Sequence, residues 1–335
     1  MIGIVGNRGG FREPGGVRKL VQLLCQRLEI EQFTYHILTA KEKSGRDCSS
    51  LIMVGCSSPW AYGVALKSLI QRPALPIHWI PCFHPPRYVT HPWKARVALW
   101  ALRGLQMLGV HVYALTQAEQ TELNAGRCAL LSLPFDSEEA FQVQALKRMT
   151  PIAQRPLALV FLGRPVSQKG WPQYLAIVSH LGLNSLALVP FAPEGKLPRT
   201  LTVKIGLHDH EVREHLDQCQ LLILPSDYES FGFAQAEALL SGCCVPVLGE
   251  WPLWLKIAEL DWRQLTPWQA AERVRTLLKQ PATLASLQKQ QLQAWMNLPE
   301  RQAPILPDLR EIDADIARRR GTDRSSDRRN IHLTE

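Results

Sequence analysis

Two carboxylates in YESFGFAQAE, Glu229 and Glu237, flank an apolar turn that contains a glycine. Well upstream, VFLGRPVSQKGW (160–171) carries Gly163, Arg164, Lys169 and Gly170 out of an apolar run and into a loop. Arginine supplies a planar fork of donors and lysine a point charge, a combination suited to a diphosphate. LLILP reads as a strand ending at Pro225, and Gly232 allows a sharp turn without a Cβ clash. The backbone at Ser230, Phe231, Gly232 and Phe233 then opens a helix, where unpaired N–H groups and the helix dipole favour an anion. Glu237 falls inside that helix and Glu229 before it, so the acids are two separate contacts rather than one helical face. Carboxylates accept hydrogen bonds from vicinal hydroxyls, which ribose and other sugars supply. The plainer alternative is a pair of solvated acids that favour a helix N-terminus.

The elements that must position these groups alternate between strand and helix. IGIVG, TYHILTA, SLIMVGC, IHWIPCF and VHVYALT read as strands in the first half. GVRKLVQLLCQRL, ALKSLI, KARVALWALRGLQML and QAEQTELNA are the helices between and after them. RMTPIAQRPLA is a Pro-punctuated linker, after which the rhythm restarts. LALVFLG, SLALVPF, LTVKIG, LLILP and CVPVL are strands, with WPQYLAIVSHL, HEVREHLDQC and FAQAEALLSG as helices and two more helices at WQAAERVRTLLKQ and TLASLQKQQLQAWMN. This predicts an α/β chain of two doubly wound parallel sheets, residues 1–150 and 151–307, followed by a polar, Arg-rich tail at 308–335 expected to be disordered. Such sheets bind ligands at the carboxyl ends of their strands, where both loops fall.

Composition narrows the class. The chain is 46% apolar and 20% charged, without an uninterrupted apolar run of the roughly 18 residues a spanning helix needs. MIGIVGNRGG lacks a basic segment followed by an apolar core and reads as a first strand rather than a secretory signal. Eight scattered cysteines without a CxxC pair suit small core residues in a reducing compartment, so a cytoplasmic location is expected. Of the net charge of +8, residues 1–150 hold +7 (17 Lys/Arg against 10 Asp/Glu), which suits an anionic partner for that half. The tail is neutral overall and the aromatics follow no RNA-binding pattern, so nucleic acid is not an expected partner.

With both motifs in view, the chain resembles the retaining glycosyltransferases of GT-B architecture, family 4. GRPVSQKG is similar to that family's G-R-x-x-x-x-K-G donor loop, and PSDYESFGFAQAEALLSGCCVPV to its P-S-x-x-E-x-F-G-x-x-x-x-E-A segment. The resemblance implies two Rossmann-like domains facing each other across a cleft. It implies a nucleotide-sugar donor held by Gly163, Ser230, Phe231, Gly232, Phe233 and Glu237, with Arg164 and Lys169 on the diphosphate and Glu229 on the donor sugar. Gly15 and Gly16 match the family's glycine pair opening the first helix, His84 matches its histidine near the transferred sugar, and HVYALTQAEQTEL resembles its strand-Ser/Thr-x-x-E element. No DxD metal motif precedes the tail, so neither a metal nor another cofactor is expected. The expected acceptor is a glycan or a lipid-linked acceptor of surface polysaccharide or lipopolysaccharide synthesis. Where relatives carry a Gly-Gly-x-x-Glu loop after the P-V strand, this chain has VLGEWPLWLKI, and Glu250 receives no role. A catalytically silent scaffold on the same fold is the alternative; the intact Arg164, Lys169, Glu229 and Glu237 argue against it.

RYVTHPWKARVALWALRGLQ is basic, amphipathic and carries two tryptophans. Peripheral contact with an anionic membrane surface, or packing of Trp93 and Trp100 against the sheet, both fit it.

Overall fold

The computed structural model describes residues 1–6, 16–38, 48–55, 59–89, 91–124, 126–132, 151–253 and 256–302. Gly15, the start of the expected linker and the tail at 308–335 lie outside these residues. The first sheet comprises β1 (Ile2–Val5), β2 (Tyr35–Leu38), β3 (Ser50–Val54), β4 (Ile77–Ile80), β5 (His111–Ala114) and β6 (Cys128–Leu130). All six are parallel in the order β2-β1-β3-β4-β5-β6, with Ile2 of β1 in register with Tyr35 on one side and Ser50 on the other. The second sheet, also parallel, holds β7 (Leu157–Leu162), β8 (Ser185–Val189), β9 (Leu201–Ile205) and β10 (Cys219–Leu222) in the order β10-β7-β8-β9.

Sheets covered on both faces need strands that are apolar throughout rather than alternating. IGIV, SLIMV and SLALV are buried at every position. On one face, α1 (Gly16–Ile30) buries Leu20, Leu24 and Leu28, four apart, together with Ile4, Ile52 and Ile80. On the other, α2 (Pro59–Gln71) and α3 (Pro92–Met107) bury Ala61, Val64, Ala65, Leu102 and Leu105 with Val5, Leu51, Met53 and Trp79. Each such leucine contributes roughly 1.5–3 kcal/mol relative to exposure. α4 (Gln117–Leu123) follows β5.

In the second half, α5 (Trp171–Leu181) covers β7 and β8, and the Tyr174 hydroxyl donates to the Leu186 carbonyl at 2.7 Å. α6 (Asp209–Leu216) precedes β10, α7 (Phe233–Leu240) follows it, and α8 (Pro267–Leu278) and α9 (Pro281–Met296) complete the described fold. The expected linker is already part of this core by Arg155, which is 2% exposed. Its guanidinium donates to the Cys219 carbonyl (2.9 Å), the Leu216 carbonyl (3.3 Å) and the Ser241 carbonyl (2.9 Å), joining the ends of α6 and α7 to β10. Beyond α9, the short turn Pro299–Gln302 brings Glu300 back to the first domain, where the Gln117 amide donates to it at 3.3 Å.

Three element expectations change. CVPVL forms bridges only at Cys244 and Val247, because Pro246 has no amide to donate and the Gln291 side chain binds both Val245 backbone groups at 2.8 Å. The strand expected at LLILP occupies Cys219–Leu222 instead, and β6, only three residues long, was not anticipated.

Candidate functional site

The carboxyl ends of the two sheets meet. Gly163 leaves β7 with φ +149°, a conformation that favours glycine, and the chain then forms a short turn at Ser167–Lys169. Gly170 takes φ +70°, and a Cβ there would lie 2.0 Å from the Pro225 carbonyl oxygen. The two motif loops therefore touch backbone to backbone. The Asp227 amide and the Ser226 hydroxyl both donate to the Gln168 carbonyl at 3.2 Å. A third loop closes the stack, since the Glu229 amide donates to the Glu250 carbonyl at 2.9 Å. Glu250 thus contributes backbone, while its exposed carboxylate lies 3.9 Å from Arg263.

At the heart of this junction the Lys169 ammonium meets the Glu229 carboxylate at 2.6 Å. Glu229 is 9% exposed, while Arg164 is exposed at the rim. His84, on the loop after β4, packs its ring edge-on against Tyr228, with centroids 5.2 Å apart. Burial, reinforced by the charges of Lys169 and Arg164 and opposed by Glu229, pushes the imidazole down to about 4. His84 is therefore neutral near pH 7 and exchanges hydrogen bonds rather than charge. The structure thus brings His84 of one domain together with Arg164, Lys169 and Glu229 of the other.

Glu237 belongs to a second cluster. Gly232, at φ +85°, ends the loop and starts α7, which has no side-chain cap. Phe231 is buried against Phe233 and Trp295, with centroids 4.9 Å and 6.1 Å away. Ser230 is half-buried beside them. One helical turn into α7, Glu237 pairs with Lys19 of α1 at 2.9 Å, and Lys19 also holds Asp209, at the start of α6, at 2.7 Å. Burial raises Glu237 above the usual carboxylate range, and the Lys19 charge restrains the rise. Burial lowers Lys19 in turn, but the two acids outweigh it and hold the ammonium above its ordinary value. Gly16 begins α1, three residues before Lys19. The two motif acids therefore do not share a contact: each is held by a different lysine.

Two contributors, Lys19 and Trp251, received no role from the sequence, and a third, Glu119, was seen only as part of a motif. Lys19 sits in the first turn of α1, which holds no acid although helix starts favour them; that mismatch was its signal. Trp251 donates from its indole to the Phe231 carbonyl at 2.8 Å and fills the space a Cβ on Gly232 would need, 2.4 Å away. It lies where the chain departs from the Gly-Gly pattern. Glu119, the acid of the T-x-x-E element, is 1% exposed and accepts from the Phe83 amide at 2.5 Å and the Leu115 amide at 2.9 Å. It thereby clamps the residue before His84, and Thr116 caps its helix by accepting from the Glu119 amide at 3.1 Å. Among the described residues, no three His, Cys, Asp or Glu side chains converge as a metal site.

No protein-family model and no curated protein matches the chain. Solved structures do. Sucrose-phosphate synthase from Thermosynechococcus elongatus superposes with a TM-score of 0.60 at 13% identity, over 97% of this chain and 99% of that one. WaaG, a glycosyltransferase involved in lipopolysaccharide biosynthesis, gives 0.59 at 14% identity over 91% and 97%. OtsA gives 0.58 at 9% identity over 91% and 96%. At such identities the likeness carries the fold alone, and that fold is GT-B: two Rossmann-like parallel-sheet domains.

Proposed function

We propose that the chain is a retaining glycosyltransferase that moves a sugar from a UDP- or GDP-sugar to a glycan or lipid-linked acceptor, in cytoplasmic synthesis of a surface polysaccharide or lipopolysaccharide. The observation that carries this reading is the meeting of neutral His84 from one domain with the Lys169–Glu229 pair of the other. Arg164, Lys169 and the amides at 231–233 take up the charge that develops on the departing diphosphate, and the resemblance assigns the glycine pair Gly15 and Gly16 to the same phosphates. Glu237 accepts from the donor ribose hydroxyls and Glu229 from the donor sugar. His84 accepts from or donates to the sugar beside the reacting carbon. The acceptor hydroxyl attacks from the face that the diphosphate leaves. Its oxygen bonds to the anomeric carbon as the sugar–phosphate bond breaks, and its proton passes to the departing phosphate oxygen. No enzymatic nucleophile is needed, and neither a metal nor a further cofactor is assigned a step. Closure between the domains keeps water from the donor.

Thermal unfolding with UDP-, GDP- and ADP-sugars tests the reading. A donor at about 100 times its Kd stabilises by about 2.7 kcal/mol, roughly 4 °C for a protein of this size. Glu237→Ala should erase that shift and the transfer activity together. If no nucleotide sugar stabilises the protein and Glu237→Ala leaves activity intact, the reading fails. Binding without turnover on any acceptor would favour the silent scaffold.

A further inference from the structure

The outward face of α3 departs from an ordinary protein surface. Trp93, Val97, Trp100, Met107 and the adjoining Leu108 are 62%, 60%, 77%, 76% and 59% exposed. At roughly 100° per residue these five side chains fall within about 50° of one line along the helix. The buried residues Leu102 and Leu105 occupy the opposite side and anchor α3 to the sheet. Neither tryptophan packs on the sheet, the plainer of the two expectations for them.

Cations border the stripe. Arg96 and Arg103 lie along one flank, and Lys94 along the other places its ammonium 5.6 Å from the Trp93 ring centroid. α2 lies beside α3 on the same face of the sheet, where the Tyr62 hydroxyl donates to the Ala98 carbonyl at 3.4 Å, and it exposes Leu66 (48%) and Ile70 (73%). Along this stretch of chain the charge has one sign, and the acid beside it, Glu122 of α4, is paired with Arg87 at 2.6 Å. From Cys48 to Ala118 the chain has six Lys or Arg (67, 72, 87, 94, 96 and 103) and no Asp or Glu, a net of +6. A protein partner can meet such a face with either charge, but a continuous anionic plane meets all of it at once. Tryptophan rings at headgroup depth, flanked by lysine and arginine, are how an amphipathic surface seats on lipid.

We infer that the α2–α3 face docks on an anionic lipid bilayer, with Trp93 and Trp100 inserted at headgroup depth. α3 begins eight residues after His84, so docking sets the His84 loop near the lipid surface. The inference goes beyond donor chemistry and stands without it, because none of the residues that form this face is assigned to the donor.

The test is co-sedimentation of the full chain with vesicles of phosphatidylcholine alone or with about one-third phosphatidylglycerol. Wild type should pellet with the anionic vesicles and remain in the supernatant with the neutral ones. Raising salt should release it, since about 1 M salt shortens screening to about 3 Å. Trp93→Ala/Trp100→Ala should weaken binding at least tenfold, from the loss of two inserted rings. Arg96→Glu/Arg103→Glu should weaken it by a similar factor. All four substitutions lie on solvent-facing positions, and an unchanged thermal midpoint would verify that the variants fold. Equal binding to both vesicle types, no binding to either, or undiminished binding by the tryptophan variant overturns the inference. So does a dimer in sedimentation equilibrium that Trp100→Ala dissociates, which would assign the face to a second copy of the chain.

Discussion

Glu119→Gln isolates a group that acts on the site without reaching it. Both carboxylate oxygens are committed: one accepts from Phe83, the residue before His84, and the other from Leu115. Glutamine keeps the shape but replaces one acceptor with a donor. One buried N–H is then left without a partner, at a cost of about 1–3 kcal/mol. The wild-type carboxyl meets a milder form of the same conflict on protonation, because its O–H also faces an N–H. Burial raises it from 4.5 to about 7, outweighing the two backbone bonds that favour the charged form. The sign follows from proton counting. Between pH 4.5 and 7 the native state holds more protons than the unfolded chain, so this contribution to stability is fully present below pH 4.5 and is lost as pH rises through 7. The span corresponds to about 3 kcal/mol. Activity should move the other way, because the protonated acid loosens the Phe83 tether and with it His84. Denaturant unfolding and kcat/KM measured from pH 5 to 8, on wild type and Glu119→Gln, separate these effects. Wild type should gain stability and lose activity as pH falls below about 7, while the variant shows neither trend. His84, held down near 4, stays neutral across this window and supplies neither limb. A stability difference between the two proteins that is flat with pH, or an acid limb that survives in the variant, refutes the reasoning.

Gly170→Ala forces a side chain into φ +70° and within 2.0 Å of the Pro225 carbonyl, so the loops must part. The conformation alone costs about 1–2 kcal/mol, and donor turnover should fall at least tenfold with unchanged circular dichroism; wild-type kcat/KM would contradict it. Arg155→Leu removes donors from three buried carbonyls. It should lower stability by about 2–4 kcal/mol, seen as a thermal midpoint several degrees lower. Lys169→Met leaves the buried Glu229 carboxylate unpaired, with a loss of up to about 3 kcal/mol. Adding Glu229→Gln should recover most of that stability in denaturant titrations and none of the activity.

The regular core was legible because its strands are apolar throughout and its helices keep one spacing. Both motif loops were legible because glycine and charge stand at fixed positions along a single stretch of chain. What ties distant stretches of the chain together was not. Lys19 and Asp209 lie 190 positions apart, and Phe83 and Glu119 lie 36 apart, so neither pairing leaves a local signature. α3 exposes a different limit. Its periodicity holds two apolar stripes, Leu102 with Leu105 and Trp93 with Trp100, and spacing alone does not say which turns inward. The shorter leucines fit against the sheet, and the indoles are left outside. At CVPVL, Gln291 supplies from α9 the bonds that a neighbouring strand would supply, a substitution that apolar patterning cannot register.

Each motif acid of the junction has a cationic partner: Lys169 holds Glu229, and Lys19 holds Glu237 together with Asp209. Pairs as enclosed as Lys169–Glu229 add little net stability, since removing both ions from water offsets most of their attraction. They do keep each group in place at low cost to exchange. A diphosphate would compete for the lysines, and hydroxyls would compete for the acids. Under the proposed function, one ligand that carries both would satisfy each member of a pair with a different part of itself. Neither half would do so: inorganic diphosphate would strand the carboxylates, and a free sugar would leave the ammonium groups attached to the acids it needs. Lys19 extends the requirement across the cleft, because its exchange partner Glu237 lies on the opposite domain. Recognition of a whole nucleotide sugar and the apposition of the two domains are then coupled through the same ion pairs.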